Sequence, residues 1–71
     1  MHILVFKTNI ASDDAHKIIG TVLDPHPQVV NWTIDKGDVD KVLRIESKTN
    51  NASEIISNIS RLGFFCEELP D

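Results

Sequence analysis

The chain has 71 residues, 41% of them hydrophobic and 25% charged, and a single cysteine. That length gives one small domain with a core of about a dozen side chains, and one cysteine excludes an internal disulfide, so packing alone must stabilise the fold. Eleven acidic against seven basic residues give a formal charge of −4, and the lysines and arginines are scattered singly, so neither nucleic acid nor an anionic membrane is expected as a partner.

Residues 2–8 (HILVFKT) are rich in β-branched and aromatic side chains and read as a strand. Ser12 then offers a hydroxyl N-cap, and Asp13 and Asp14 complement the positive end of a helix. Ala15, Ile18, Ile19, Val22 and Leu23 fall at helical spacing, and Asp24-Pro25-His26-Pro27 ends the run, which places a helix over 12–24. Residues 28–35 (QVVNWTID) form a second strand, with Trp32 and Ile34 on one face and Asn31, Thr33 and Asp35 on the other. Lys36-Gly37-Asp38 supplies a turn. Residues 41–47 (KVLRIES) alternate again, Leu43 and Ile45 opposite Val42, Arg44 and Glu46, so the two strands are expected to pair as a hairpin.

Asn51-Ala52-Ser53-Glu54 fits a capping box, with Asn51 as the cap and Glu54 reaching back to it. Ile55, Ile56, Ile59 and Leu62 build the apolar stripe of a second helix, which Gly63 stops. Residues 64–69 (FFCEEL) make the last strand. The order βαββαβ predicts an α+β ferredoxin-like sandwich: one domain over residues 1–71, a four-stranded antiparallel sheet with both helices on one face, and spatial order 4-1-3-2. The N-terminal MHILVFKTN has no long apolar run of the secretory or membrane-spanning kind, so a cytoplasmic protein is expected. The sequons at Asn31, Asn51 and Asn58 then carry no weight.

With these elements in place the chain resembles, nearly end to end, the heavy-metal-associated domain family of small copper chaperones and metal-transporting ATPase modules. In that family the first strand leads into a loop reading M-x-C-x-x-C, whose second cysteine opens the first helix. Here Ile10 stands at the methionine position, and Ser12 and Ala15 stand at the two cysteine positions. Val29 with Trp32 and Ile34, the run Asp38 to Val42, and Gly63-Phe64 follow the family order, and the resemblance implies that Phe64 lies near the metal loop. A soft-metal site needs two thiolates about one helical turn apart. Ser12 is a poor soft-metal ligand and Ala15 offers none, so no metal is expected at the family's site.

Other clusters read as structural. Asp13, Asp14 and His16 point in different directions around a helix, so the acids serve its first turn and His16 faces water. Cys66, in step with Phe64, is expected to pack inward, and His26, between prolines, to be solvated. His2 and Cys66 lie on neighbouring strands and form the two-ligand alternative. Asp35, Asp38 and Asp40 around Gly37 lack the spacing of a calcium loop and make a charged turn.

The remaining feature is the sheet face that no helix covers. If Leu4 and Phe6 face the helices, Ile3 and Val5 face outward, and Phe65 and Leu69 on the adjacent strand point the same way, as a contiguous apolar patch. No nucleophile–base pair, phosphate loop or cofactor motif appears. The sequence thus predicts a non-catalytic interaction module, without cofactor, that binds a protein partner or itself through Ile3, Val5, Phe65 and Leu69. The loop from Ile10 through Ser12, Asp13 and Asp14, with Phe64, would keep the family's docking position. The alternative is a metal-binding or metal-trafficking protein whose ligands have moved to Cys66 and a histidine.

Overall fold

A computed structural model of the chain describes residues 1–70. The elements are β1 (His2–Thr8), α1 (Asp13–Leu23), β2 (Val29–Asp35), β3 (Val42–Ser47), α2 (Ala52–Arg61) and β4 (Cys66–Glu68). All strand pairs are antiparallel and their order is β2-β3-β1-β4. This is the expected ferredoxin-like sandwich, with both helices on one face.

The period of two in β1 and β3 decides what is buried. Leu4, Phe6, Leu43 and Ile45 point to the helices and meet Ile19 and Leu23 of α1 and Ile55 and Ile59 of α2 in a single core. Burying each such side chain contributes about 1.5–3 kcal/mol before entropy is counted. On β2 the alternation is interrupted by a bulge between Val29 and Asn31. The bulge lets Val29 pack on the core alongside Trp32 and Ile34, while Val30 is turned outward and 48% exposed.

Helix ends follow local chemistry. Ser12 Oγ accepts from the Ala15 N–H at 3.1 Å and starts α1. After α2, Gly63 takes a φ of 91°, which a residue without Cβ adopts freely, and its N–H reaches the Ser60 carbonyl at 3.0 Å. The expected capping box on α2 does not form. Asn51 occupies the N-cap position without a side-chain cap bond. Instead its Oδ1 accepts from Ser47 Oγ at 2.8 Å, because a fully buried hydroxyl on β3 requires a partner. Glu54 turns away to His26. The last strand is also shorter than expected, covering 66–68 rather than 64–69, since Phe64 and Phe65 still belong to the approach from Gly63.

Truncation of a central contact should therefore threaten the whole domain. Ile59→Ala is expected to lower stability by about 2–5 kcal/mol, a large share of what a domain this small possesses. Urea denaturation followed by circular dichroism measures the loss, and a loss below about 1 kcal/mol would place Ile59 outside the working core.

Candidate functional site

The loop between β1 and α1 is organised around structural needs. Ile10 is fully buried, and its N–H donates to Thr8 Oγ1 at 3.2 Å while Thr8 Oγ1 donates to the Lys41 carbonyl at 2.6 Å. Ile10, expected among the contact residues of this tip, therefore offers no surface. Ser12 spends its hydroxyl on the helix cap, and Ala15 is buried against the core. The two positions that the family resemblance assigns to cysteines thus hold a cap and a packing methyl.

Asp13 and Asp14 stand at the exposed first turn of α1. Lys36, from the β2–β3 connection, donates to Asp13 Oδ1. That hydrogen bond, with the charge of the same ammonium, holds the Asp13 carboxyl below its ordinary value of 3.8. Lys36 was not legible as a partner of this loop, because the pair joins residues far apart in sequence and depends on how the hairpin leans over α1. In the β2–β3 connection itself, Asp35 Oδ1 accepts from the Gly37 N–H at 3.1 Å and Asp38 Oδ1 from the Asp40 N–H at 2.7 Å. These carboxylates are turn formers, as expected of a charged turn.

The histidines depart from expectation. His26 is tucked in: its Nδ1 accepts from the Gln28 N–H at 3.1 Å and its Nε2 meets Glu54 Oε1. An accepting Nδ1 fixes the proton on Nε2, which donates to the carboxylate and fastens the α1–β2 loop to the first turn of α2. His16 does not face water. Its ring lies against Trp32 at a centroid distance of 4.9 Å, with Nδ1 buried and unpartnered. Trp32 Nε1 in turn donates to Asp24 Oδ1 at 2.7 Å, so the indole clasps α1 near both its ends. The indole also lies over Gly20, where a Cβ would meet it at an ordinary contact distance of 3.4 Å.

Cys66 packs in the core as expected. Burial pushes its thiol from an ordinary 9.0 up to about 11. Its neighbour across the sheet is Thr8, whereas His2 lies at the other end of β1 opposite Ser47. Six residues of extended chain, about 20 Å, separate the two rungs, so the paired Cys66–His2 ligand set is excluded by register. Among the described residues no group of three or more His, Cys, Asp or Glu side chains is placed to hold a metal ion.

The open face of the sheet carries the outward residues of all four strands. Ile3, Val5 and Leu69 line one depression of about 410 Å3 together with Glu68 and Pro70. Phe65 is exposed but does not join them. Lys7 pairs with Glu67 in the register of β1 and β4 and stands as a charged rung between Phe65 and Leu69. The contiguous four-residue patch expected from sequence is thus cut in two by this rung. On β3, Arg44 and Glu46 share the same face beside Val5 and Ile3. Their outward position was implied by the alternation with Leu43 and Ile45, yet their role beside the apolar rung becomes visible only through strand register. Phe64 is half-buried against the core.

The assembled geometry is that of a ferredoxin-like sandwich whose β1–α1 loop is committed to capping and packing. The structure is similar to the N-terminal domain of ZntA in its Zn(II) form, with a TM-score of 0.78 at 7% identity, over 93% of this chain and 89% of that domain. At that identity the likeness is one of fold. No protein-family model matches the chain, and no curated protein matches it.

Two measurements check the tip and a third checks the buried thiol. Ser12→Ala is expected to cost about 1 kcal/mol by removing the cap of α1, read by thermal or urea unfolding. The Asp13 carboxyl, whose bond to Lys36 persists above its ordinary value and is lost as pH falls through the lowered one, is expected to titrate higher in Lys36→Ala, followed by NMR. For Cys66 the sign is reversed: the fold accepts the neutral thiol, so its contribution is full below pH 9.0 and declines as pH rises towards about 11. Alkylation that proceeds at pH 8 as fast in the native chain as in urea would contradict the buried thiol.

Proposed function

We propose that the chain is a small non-catalytic interaction module, built on the fold of a metal-binding domain, that works without the metal. The observation carrying this reading is the use of Ser12 and Ala15: the hydroxyl is committed to the Ala15 amide and the methyl to the core. The ZntA domain of the same fold takes a Zn(II) form; this chain supplies no thiolate pair for such an ion at the corresponding loop. The single thiol is buried, held protonated by its surroundings and distant from His2, which removes the basis for moving the ligands to Cys66 and that histidine.

Contact would then be made by the uncovered sheet face, with Ile3, Val5 and Leu69 as its apolar part and Phe65 as a separate exposed ring beyond the Lys7–Glu67 rung. The tip around Ser12, Asp13 and Asp14, with Phe64 behind it, remains a second place at which a protein partner could dock. No helix of the described residues is long and apolar enough to cross a membrane. The reading places the module in the cytoplasm, where a lone thiol stays reduced.

Native mass spectrometry of the reduced chain with buffered Cu(I) and Zn(II) tests this directly. A metal-free species at every buffered concentration is expected. One ion per chain or per dimer would overturn the reading and make Cys66→Ser the first substitution to examine.

A further inference from the structure

The strand register sorts the open face into rungs. One rung carries Asn31, Glu46 and Ile3; the next carries Thr33, Arg44 and Val5. Across β2, β3 and β1 each member has its chemical complement on the other rung: amide beside hydroxyl, acid beside base, isoleucine beside valine; on the edge strand Leu69 adjoins Val5, its N–H donating to the Val5 carbonyl at 2.8 Å. Arg44 and Glu46 take part in no ion pair among the described residues, and Ile3 is 38% exposed. The two charges lie side by side on β3 next to the apolar pair on β1, and neither makes an ion-pair contact among the described residues.

We propose that this face is a homodimer interface, in which a second copy of the chain packs sheet against sheet about a two-fold axis. The inference rests on the reading that the module acts through its open face, and it names the partner. The axis lies between the two sheets, perpendicular to the strands and midway between the two rungs. Rotation about it exchanges the rungs, so that Arg44 of each copy faces Glu46 of the other, Ile3 faces Val5, and Asn31 faces Thr33. Every one of these contacts occurs twice, as an isologous interface demands. Aligned sheets pack about 10 Å apart with strand directions within about 30°, a gap that opposed long side chains fill.

Other placements of the axis are worse by inspection of the same register. Moved one rung towards Lys7, it sets Arg44 against Val42 and Val5 against Lys7. Turned to run along the strands between β3 and β1, it sets Arg44 against Val5 and Glu46 against Ile3. Each buries a charge on an apolar side chain, which is strongly unfavourable. The rung-exchanging axis pairs every charge it covers and leaves the Lys7–Glu67 rung and Phe65 at the rim. The face is small, with three strands contributing two rungs each, which places it at the low end for specific interfaces. A weak, concentration-dependent dimer follows.

Sedimentation equilibrium of the intact chain up to about 1 mM tests the proposal, with circular dichroism melts as the control that each variant folds. The wild type is expected to dimerise. Arg44→Glu alone, which puts two carboxylates on the paired rungs, and Glu46→Arg alone, which puts two cations there, should each weaken the dimer by about tenfold or more. An equimolar mixture of the two variants should regain it as a heterodimer, because every pair across the axis is then of opposite sign. A wild type that stays monomeric at about 1 mM, a dimer that neither variant weakens, or variants that do not recover on mixing would each overturn the interface. A monomer would leave the metal-free reading standing, since that reading is decided separately by the metal titration.

Discussion

Both helices lie on the same side of a single sheet, and from that one asymmetry the parity of the residues in the inner strands acquires a meaning. Leu4, Phe6 and Thr8 of β1 face α1 and α2 and are apolar or hydrogen-bonded, as buried positions must be. Their odd-numbered neighbours meet whatever lies beyond the sheet. Because β1 and β3 are the inner strands, their pairing of Leu4 with Ile45 and Phe6 with Leu43 fixes the core. The same register arranges Ile3, Val5, Arg44 and Glu46 on the other side. A slip of one residue would invert both faces together. Core and surface are two readings of a single register.

The tip shows how the start of a helix is satisfied from within the chain. The start of a helix leaves amide N–H groups without partners, and an oxygen or sulfur at the N-cap can serve them or serve an ion. Ser12 serves the helix, and Ala15, one turn later, fills core space that a coordinating side chain would have to leave. Lys36 lies across the exposed first turn and brings a cation to Asp13. The negative charge of Asp13 is thereby neutralised from within the chain. Surface pairs of this type add little to stability, so the bond matters chiefly for the electrostatic character of the tip.

Much of the fold was legible because local and global signals agree: a period of two in β1 and β3, a hydroxyl cap at Ser12 and a glycine after α2 each specify the element that forms. The element order then constrained the sheet topology. Side chains whose partners come from distant elements were the ones misread. Asn51 and Glu54 satisfy the spacing of a capping box, but Ser47 and His26, from distant elements, take their side-chain oxygens instead. His26 was hidden by its prolines, which suggest a solvated loop but do not reveal that α2 passes beside it. For the candidate face, the outward residues were legible one strand at a time; the interruption by Lys7 and Glu67 and the proximity of Arg44 to Val5 required the register between strands.

The strand order also bears on how the domain assembles in time. The β2–β3 hairpin joins Asp35 to Val42 across a short connection, whereas β1 joins His2 to Ser47 across most of the chain. Closing the longer loop costs more chain entropy before any contact rewards it. The hairpin and the two amphipathic helices are therefore the elements that can organise locally, and insertion of β1 beside β3 is the step that converts them into a cooperative unit. Until that insertion, the inner edge of β3 has unpaired backbone groups beside Leu43 and Ile45. The pairings of β1 with β3 and with β4 therefore carry the larger loop-closure cost, and the β2–β3 hairpin the smaller one.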